Sequence, residues 1–399
     1  MARKKTVSDI SLTGQPTLVR VDFNVPLEGD QITDETRIQG ALPTIQMLLD
    51  AGCPVTLCSH LGRPKGERNM KYTLEPVAKR LAELLDAPVT MAPDCIGDEV
   101  AQMRAQLGGG EVLLLENTRF YPDEEENGAE FAQALAGDAE LFVDDAFGAM
   151  HRAHASTVGV TEYVDTCVAG LLVDEELNEL KNCREASGDG FIVILGGAKA
   201  EDKIDAIKKL LPRVEKLLVG GAMAWAFFKV MGREVGKSLC TDKSVAAAQS
   251  VMDDETLAEF IESRLMLPID VHMKQVEPDT GETKFADADA IEPGWDSLDI
   301  GPKTREEFGR LIRDEAKIVF WNGPMGHFEK VPFNEGTLAV AKALADTEAF
   351  TVVGGGDSVA AVTQMGYEDK MSHISTGGGA SLEYVQGDVL PGVEALDEV

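Results

Sequence analysis

Basic residues are scarce in this chain. Its 399 residues include 37 Lys and Arg against 69 Asp and Glu, a formal net charge of −32 at pH 7. Nucleic-acid binding needs a concentrated basic footprint, so that class of partner is excluded. No stretch approaches the roughly 20 unbroken apolar residues of a membrane span, and no membrane partner is expected. Met1-Ala2-Arg3-Lys4-Lys5 leads into no apolar run, which argues against a secretory leader and for a cytoplasmic location. The six cysteines, at 53, 58, 95, 167, 183 and 240, contain no CxxC pair, so reduced thiols in a cytosolic protein are expected. GxGxxG is absent, which disfavours a dinucleotide oxidoreductase. Met231-Gly232-Arg233-Glu234-Val235-Gly236-Lys237-Ser238 ends like a P-loop, but it has three residues between its glycines where the motif needs four. It reads as a plain loop.

The acidic excess is spread along foldable segments, as in Asp123-Glu124-Glu125-Glu126, and 44% of residues are hydrophobic. That content excludes disorder as the cause of the charge. An acidic partner-binding face would gather the charge in one place. The even spread points instead to a hydrated surface suited to high salt, where a Debye length of about 3 Å at 1 M screens self-repulsion.

The length predicts two domains. Short aliphatic runs at 17–22, 54–59, 112–115, 141–143, 191–195, 216–219, 264–267, 317–321 and 350–353 alternate with helical patterns such as 73–86, 201–211 and 335–345. Continuous aliphatic strands suit a parallel sheet covered on both faces, and the rhythm reads as right-handed βαβ units. The fold class is α/β: two Rossmann-like, three-layer α/β/α domains with mainly parallel sheets, joined by a hinge helix at 172–187. Ligands in such folds sit beyond the carboxyl ends of strands.

The loops after the strands change character at that helix. Before it they carry Asp22 and Asn24, then Arg37, His60 and Arg63, Arg119, and Arg152. Guanidinium groups bind phosphate and carboxylate bidentately, so a pocket for a small multiply charged anion is expected. After the helix the loops carry glycine: Gly196-Gly197-Ala198-Lys199 with Lys203 beyond, Gly220-Gly221, Gly354-Gly355-Gly356-Asp357-Ser358 and Gly377-Gly378-Gly379. Glycines let backbone amides approach phosphates, and Asp357 is placed to hold a magnesium ion on them. Asp144, Asp145, His151 and His154 allow a competing reading as a metal-dependent phosphohydrolase, although their spacing matches no standard zinc motif.

These segments resemble the phosphoglycerate kinase family from end to end. The matching motifs include RVDFNVP (20–26), SHLGRP (59–64), LENTRF (115–120), DDAFGAMHRAH (144–154), LGGAKAEDKI (195–204), WNGPMGHFE (321–329), GGGDS (354–358) and STGGGASLE (375–383). The resemblance implies reversible phosphoryl transfer between 1,3-bisphosphoglycerate and ADP, in glycolysis and gluconeogenesis, with Mg²⁺ and ATP/ADP, by a monomer. It implies a phosphoglycerate-binding domain of residues 1–171 plus the tail 384–399, and a nucleotide-binding domain of residues 172–383. Asp22, Phe23, Asn24, Arg37, His60, Leu61, Gly62, Arg63, Arg119 and Arg152 would hold the acidic substrate. Gly196, Gly197, Lys203, Gly220, Gly221, Gly301, Asn322, Pro324, Glu329, Gly355, Gly356, Asp357 and Ser358 would hold the nucleotide and its metal. Arg37, Lys199 and Gly378 would meet the transferring group. Two positions depart from the family pattern: Asp144, where Asn is expected, and His327, where an apolar residue is expected.

Overall fold

Six aliphatic runs of the N-terminal half pair edge to edge, all in parallel, in the computed structural model, which describes residues 3–399. Their spatial order is Val89–Met91, Val112–Leu114, Val55–Cys58, Thr17–Val21, Leu141–Asp145, Thr166–Ala169. Thr17 is in register with both Val55 and Leu141, and this places the strand ends of three neighbours level with one another. Every residue of Thr17–Val21 is buried, as a strand covered on both faces requires. Val19, Val21, Leu57 and Val143 face a core completed by Ile38, Ile45 and Leu48 of the helix Thr36–Asp50 and by Val77 and Leu81 of the helix Glu75–Leu84. Residues of opposite parity, such as Leu18 and Phe142, are buried outside that cluster, on the other face. Burying each such side chain contributes about 1.5–3 kcal/mol.

The second half repeats the plan. Leu265–Met266, Val214–Val219, Gly188–Leu195, Ile318–Asn322, Phe350–Gly354 and His373–Ile374 form a second six-stranded parallel sheet. Trp321, Ile194 and Val353 pack there against Phe308, Ile312, Val340 and Leu344. A three-stranded antiparallel sheet of Thr283–Asp287, Asp270–Gln275 and Trp295–Ile300 is added. It had no counterpart among the expected strands. Thr283–Asp287 alternates exposed and half-buried residues and carries Lys and Asp, so its aliphatic signal is weak.

The chain forms two compact units, one running to Asn178 and including Val389–Val399, the other Glu179–Asp388. One seam lies inside the helix Leu171–Glu185, where a continuous polar helix gives the sequence no mark of the turn at which one unit ends. That helix starts on the first unit. Leu171 N–H donates to Thr44 Oγ1 at 2.9 Å, and the Asp145 carboxylate accepts from Leu172 and Val173 N–H at 3.0 and 3.3 Å. Its last turn belongs to the second unit. There Arg184 donates to the carbonyls of Tyr384, Gly387 and Asp388 and lies 4.5 Å from the Tyr384 ring centroid. Among the described residues, no helix is long and apolar enough to cross a membrane.

Candidate active site

In the first unit, the strand Thr17–Val21 delivers Asp22, Phe23 and Asn24 to its carboxyl end. Arg37, on the first turn of the following helix, donates to Asp22 Oδ1 at 3.1 Å and to the Asn24 carbonyl at 3.0 Å. Asn24 Oδ1 in turn accepts from Gly62 N–H at 2.8 Å. The neighbouring loop is fixed by two residues. Ser59 Oγ accepts from Phe23 N–H, and Asn117 bridges to both N–H and C=O of Leu61. Arg119 donates to the Gly62 carbonyl at 3.0 Å, and its Nε lies 3.3 Å from Glu125. Residues 22, 24, 37, 60–62 and 119 are thus tied into one hydrogen-bonded surface.

The electrostatics of this surface are strongly positive in an otherwise acidic chain. His60 is buried, and burial together with Arg20, Arg119 and Arg37 holds its pKa well below the ordinary value. Burial and then Arg119, Arg20 and Arg152 depress His154 to about 4. His151 is lowered by burial and by Arg152. All three imidazoles are therefore neutral at pH 7, and the arginines carry the charge. Arg152 is exposed beside Arg119 and the two histidines, and Arg63 is exposed on the Gly62 loop. Neither guanidinium has an ion-pair partner among the described residues.

The metal-hydrolase reading is corrected here. Asp145 caps the helix Leu171–Glu185. Asp144 is fully buried and accepts only from Ala146 N–H at 3.1 Å. The two side chains project to opposite faces of one strand and cannot share an ion. Among the described residues, no group of three or more His, Cys, Asp or Glu could hold one.

In the second unit a cleft of about 330 Å³ is lined by Gly196, Gly197, Ala198, Lys199, Asp202, Lys203, Asn322, Gly323, Pro324 and Gly355 to Ser358. A second hollow of about 400 Å³ shares Gly197, Ala198, Pro324 and Asp357 with it and continues to Gly221, Leu239, Asp296, Leu298, His327, Phe328 and Glu329. The first is polar backbone and lysine, and the second is mostly apolar with acidic groups at its rim. Strand order explains why these loops meet. Gly188–Leu195 and Ile318–Asn322 are adjacent, so Gly196 N–H donates to the Asn322 carbonyl and Gly197 N–H to the Pro324 carbonyl. A Cβ on Gly196 would lie 2.1 Å from the Pro324 oxygen, so only glycine fits. Gly355, at φ 90°, turns the chain into the helix Gly356–Gln364, whose first amides have no intrahelical acceptor.

Lys203 Nζ donates to the carbonyls of Gly196 and Asn322 at 2.7 and 2.8 Å, and burial lowers its pKa to about 8. Lys199 is exposed on the same wall. Gly220 and Gly301 do not line either hollow. They are packing positions, where a Cβ would strike the Met325 sulfur and the Asp270 carboxylate. Gly378 opens the short helix Gly379–Val385 at φ 57°, with free space on its Cβ side. The sequence reading missed Arg20, Ser59 and Asn117, which brace the basic surface. It also missed Asp202, Leu239, Asp296 and Phe328 of the cleft. Ser59 and Asn117 stood inside quoted motifs and were findable as strand-end polar residues. Leu239 and Asp296 come from a distant loop and an antiparallel strand and carried no local signal.

A phosphoglycerate kinase family model matches residues 7–388. The chain belongs to the phosphoglycerate kinase family. It is 51% identical over 397 residues to the phosphoglycerate kinase of Chloroherpeton thalassium, covering 99% of each chain. It is 49% identical over 397 residues to that of Clostridium botulinum (strain Eklund 17B), again covering 99% of each. The phosphoglycerate kinase structure from Coxiella burnetii superposes with a TM-score of 0.84 at 34% identity, covering 98% of each chain. The one from Pyrococcus horikoshii gives 0.82 at 30% identity, also covering 98% of each. The membership makes this an enzyme of the phosphotransferase class with a carboxyl acceptor.

Proposed function

We propose that the chain catalyses reversible transfer of a phosphoryl group from 1,3-bisphosphoglycerate to ADP, giving 3-phosphoglycerate and ATP, as a cytoplasmic monomer serving glycolysis and gluconeogenesis. One observation carries this reading: arginines gather on one unit, with Arg37 and Arg119 fixed by hydrogen bonds and Arg63 and Arg152 free of ion pairs among the described residues, while a glycine-walled cleft with Lys199, Lys203 and open helix amides lies on the other.

Phosphoglycerate binds through Arg37, His60, Arg63, Arg119 and Arg152, with Asp22, Phe23, Asn24, Leu61 and Gly62 shaping the pocket. Asn322, Glu329, Gly221 and Pro324 take the nucleoside, and Gly355, Gly356 and Ser358 its phosphates. Asp357 fits a magnesium ion shared with those phosphates. It lines both hollows, and its carboxylate accepts no hydrogen bond from the described residues, while a lone carboxylate plus phosphate oxygens is the usual donor set for this hard cation. When bound, the ion neutralises phosphate charge and orients the chain of phosphates.

A β-phosphate oxygen of ADP attacks the acyl phosphorus, and the bond from phosphorus to the carboxyl oxygen breaks. The nucleophile is already anionic, and the bond electrons leave on the carboxyl oxygen as a carboxylate that needs no proton, so neither a general base nor a general acid is required. Catalysis then rests on alignment and on cations at the equatorial oxygens, which Arg37 and Lys199 supply, with the amides of the Gly378 turn. Both ligands must come within bonding distance, so the two units close on one another about the helix Leu171–Glu185, excluding water. Small-angle scattering with both ligands bound should show compaction, and an unchanged profile would remove the closure step.

The distributed acidity is an adaptation to high salt. A coupled assay for ATP formation from ADP and 1,3-bisphosphoglycerate, run across a salt series, tests both parts. Activity should rise as salt screens the surface. Absence of ATP formation at every salt would overturn the function, and activity greatest at low salt would overturn the adaptation.

A further inference from the structure

The second hollow of the nucleotide unit contains a carboxylate to which the proposed function gives no task. Asp296 and Leu298 both line it. They stand two residues apart on the strand Trp295–Ile300, so their side chains leave the same face of the sheet. Both are half-buried there, while Ser297 between them is buried. Asp296 does not line the first cleft, where Lys199, Lys203 and the helix amides gather. It therefore faces the nucleoside part of the site and not the phosphates.

The Asp296 carboxylate is idle. It takes part in no hydrogen bond or ion pair among the described residues, and its oxygens are open to solvent, unlike the sealed Oδ2 of Asp144. Three cationic or basic groups act on it from a distance: His327, Lys274 and Lys330. Lys274, its cross-strand neighbour, pairs instead with Asp279 at 3.3 Å. His327 lies 3.5 Å from Glu329, and Lys330 is exposed. Burial outweighs all three and pushes Asp296 up to about 6. At pH 7 it is ionised and can only accept.

The walls beside it are apolar, formed by Leu239, Leu298 and Phe328. An apolar hollow with one open acceptor suits a base ring whose edge donates. Guanine presents N1–H and its N2 amino group side by side, and these meet both oxygens of one carboxylate. Adenine presents a single amino group beside bare N1, whose lone pair opposes the second oxygen.

We propose that Asp296 is a specificity-determining residue that favours guanine over adenine, so that GDP as well as ADP serves as phosphoryl acceptor. The inference rests on the nucleotide reading of this hollow.

The test is kcat/KM for GDP and for ADP with 1,3-bisphosphoglycerate, at one salt and at about pH 7, where the carboxylate is ionised. The two nucleotides share their phosphates, so effects at the phosphate cleft cancel from the GDP/ADP ratio. Asp296→Leu, which removes the acceptor, should lower that ratio by at least about tenfold, the worth of one hydrogen bond to a charged group. Asp296→Asn should lower it at least as far, because its amide donates to adenine N1 while its oxygen accepts from the amino group. A crystal structure with GDP should place N1 and N2 within hydrogen-bond distance of Asp296. Turnover with both nucleotides and a ratio that neither variant moves would overturn the assignment while leaving phosphoryl transfer intact. So would equal losses for both nucleotides, or a bound base with Asp296 turned to Lys274 or Lys330. No turnover with either nucleotide in wild type would overturn the proposed function itself, and this inference with it.

Discussion

The fully buried guanidinium of Arg20 donates to Nδ1 of His60 at 3.0 Å. Arginine has no acceptor, so His60 Nδ1 is bare and Nε2 carries the proton. Arg20 also donates to Ser156 Oγ at 2.8 Å, and Ser156 in turn donates to the buried Glu124 at 2.6 Å. The arrangement makes His60 a neutral donor of fixed orientation on the surface proposed to take phosphoglycerate. On that proposal Arg20 acts through His60, by positioning it. Arg20→Leu should lose about 3–5 kcal/mol of stability in urea unfolding, because it strands Glu124 without its network. It should also raise KM for 3-phosphoglycerate more than it lowers kcat. A variant that loses stability with an unchanged KM would show that Arg20 is structural only.

Arg37 spans Asp22 and the Asn24 carbonyl, which orients it without neutralising it fully. An interaction strengthened in the transition state shows up mainly in kcat. Arg37→Ala should therefore lower kcat by roughly 10²–10³-fold, comparable to the loss of one oxyanion donor, with unfolding midpoints near wild type. Lys199→Ala should do the same from the other unit. Near-normal turnover in both variants would refute the assigned roles.

The parallel core was legible because strands buried on both faces leave an unbroken aliphatic signature. The runs at 17–22, 191–195 and 350–353 fold as Thr17–Val21, Gly188–Leu195 and Phe350–Gly354. The decoy at 231–238 is indeed irregular. What stayed hidden had a different physical character. Val89–Met91 is a three-residue strand with no fully buried position, and Trp295–Ile300 mixes Asp and Ser into its pairing face. The helix Thr36–Asp50 contains Pro43. In the site, the long motifs marked every strand-end arginine. They could not separate Gly196 and Gly355, which line the cleft, from Gly220 and Gly301, which do not line it and leave room for side chains to pack. That distinction depends on what lies across the fold, here Met325 and Asp270.

The proposed role of Lys203 at the nucleotide phosphates carries a pH limit. Burial lowers its pKa to about 8, with Asp357 and Asp202 opposing that shift. Above that pH the free enzyme loses the proton, and with it the charge proposed to meet phosphate. KM for ADP should rise as pH increases through about 8, while KM for phosphoglycerate stays flat over the same interval. Lys203→Met should have a high KM for ADP that no longer depends on pH there. Binding that remains tight to pH 9.5 in wild type would sink the assignment. ADP titrations under fixed salt provide the measurement.

Asp144 sets a stability limit of opposite origin. The family pattern leads to Asn at this position, and the carboxyl is fully buried with one oxygen lacking any partner. Burial pushes its pKa up to about 7, against the pull of Arg20. A folded-state pKa above the unfolded one means that the native state holds a proton the unfolded chain has released. That contribution is complete below about pH 4 and is lost as pH rises to about 7. Asn cannot ionise, so Asp144→Asn escapes the loss. The advantage of Asn over wild type should be smallest at pH 4 and grow by on the order of 4 kcal/mol by pH 8. Asp145 and Asp299, raised to about 6 and about 7 by burial, titrate in the same direction but are present in both proteins and cancel from the comparison. Urea unfolding at matched salt across this pH range reads the difference directly. A difference that is flat with pH would mean that Asp144 is ionised in the native protein throughout, held so by Arg20 across the strand Thr17–Val21.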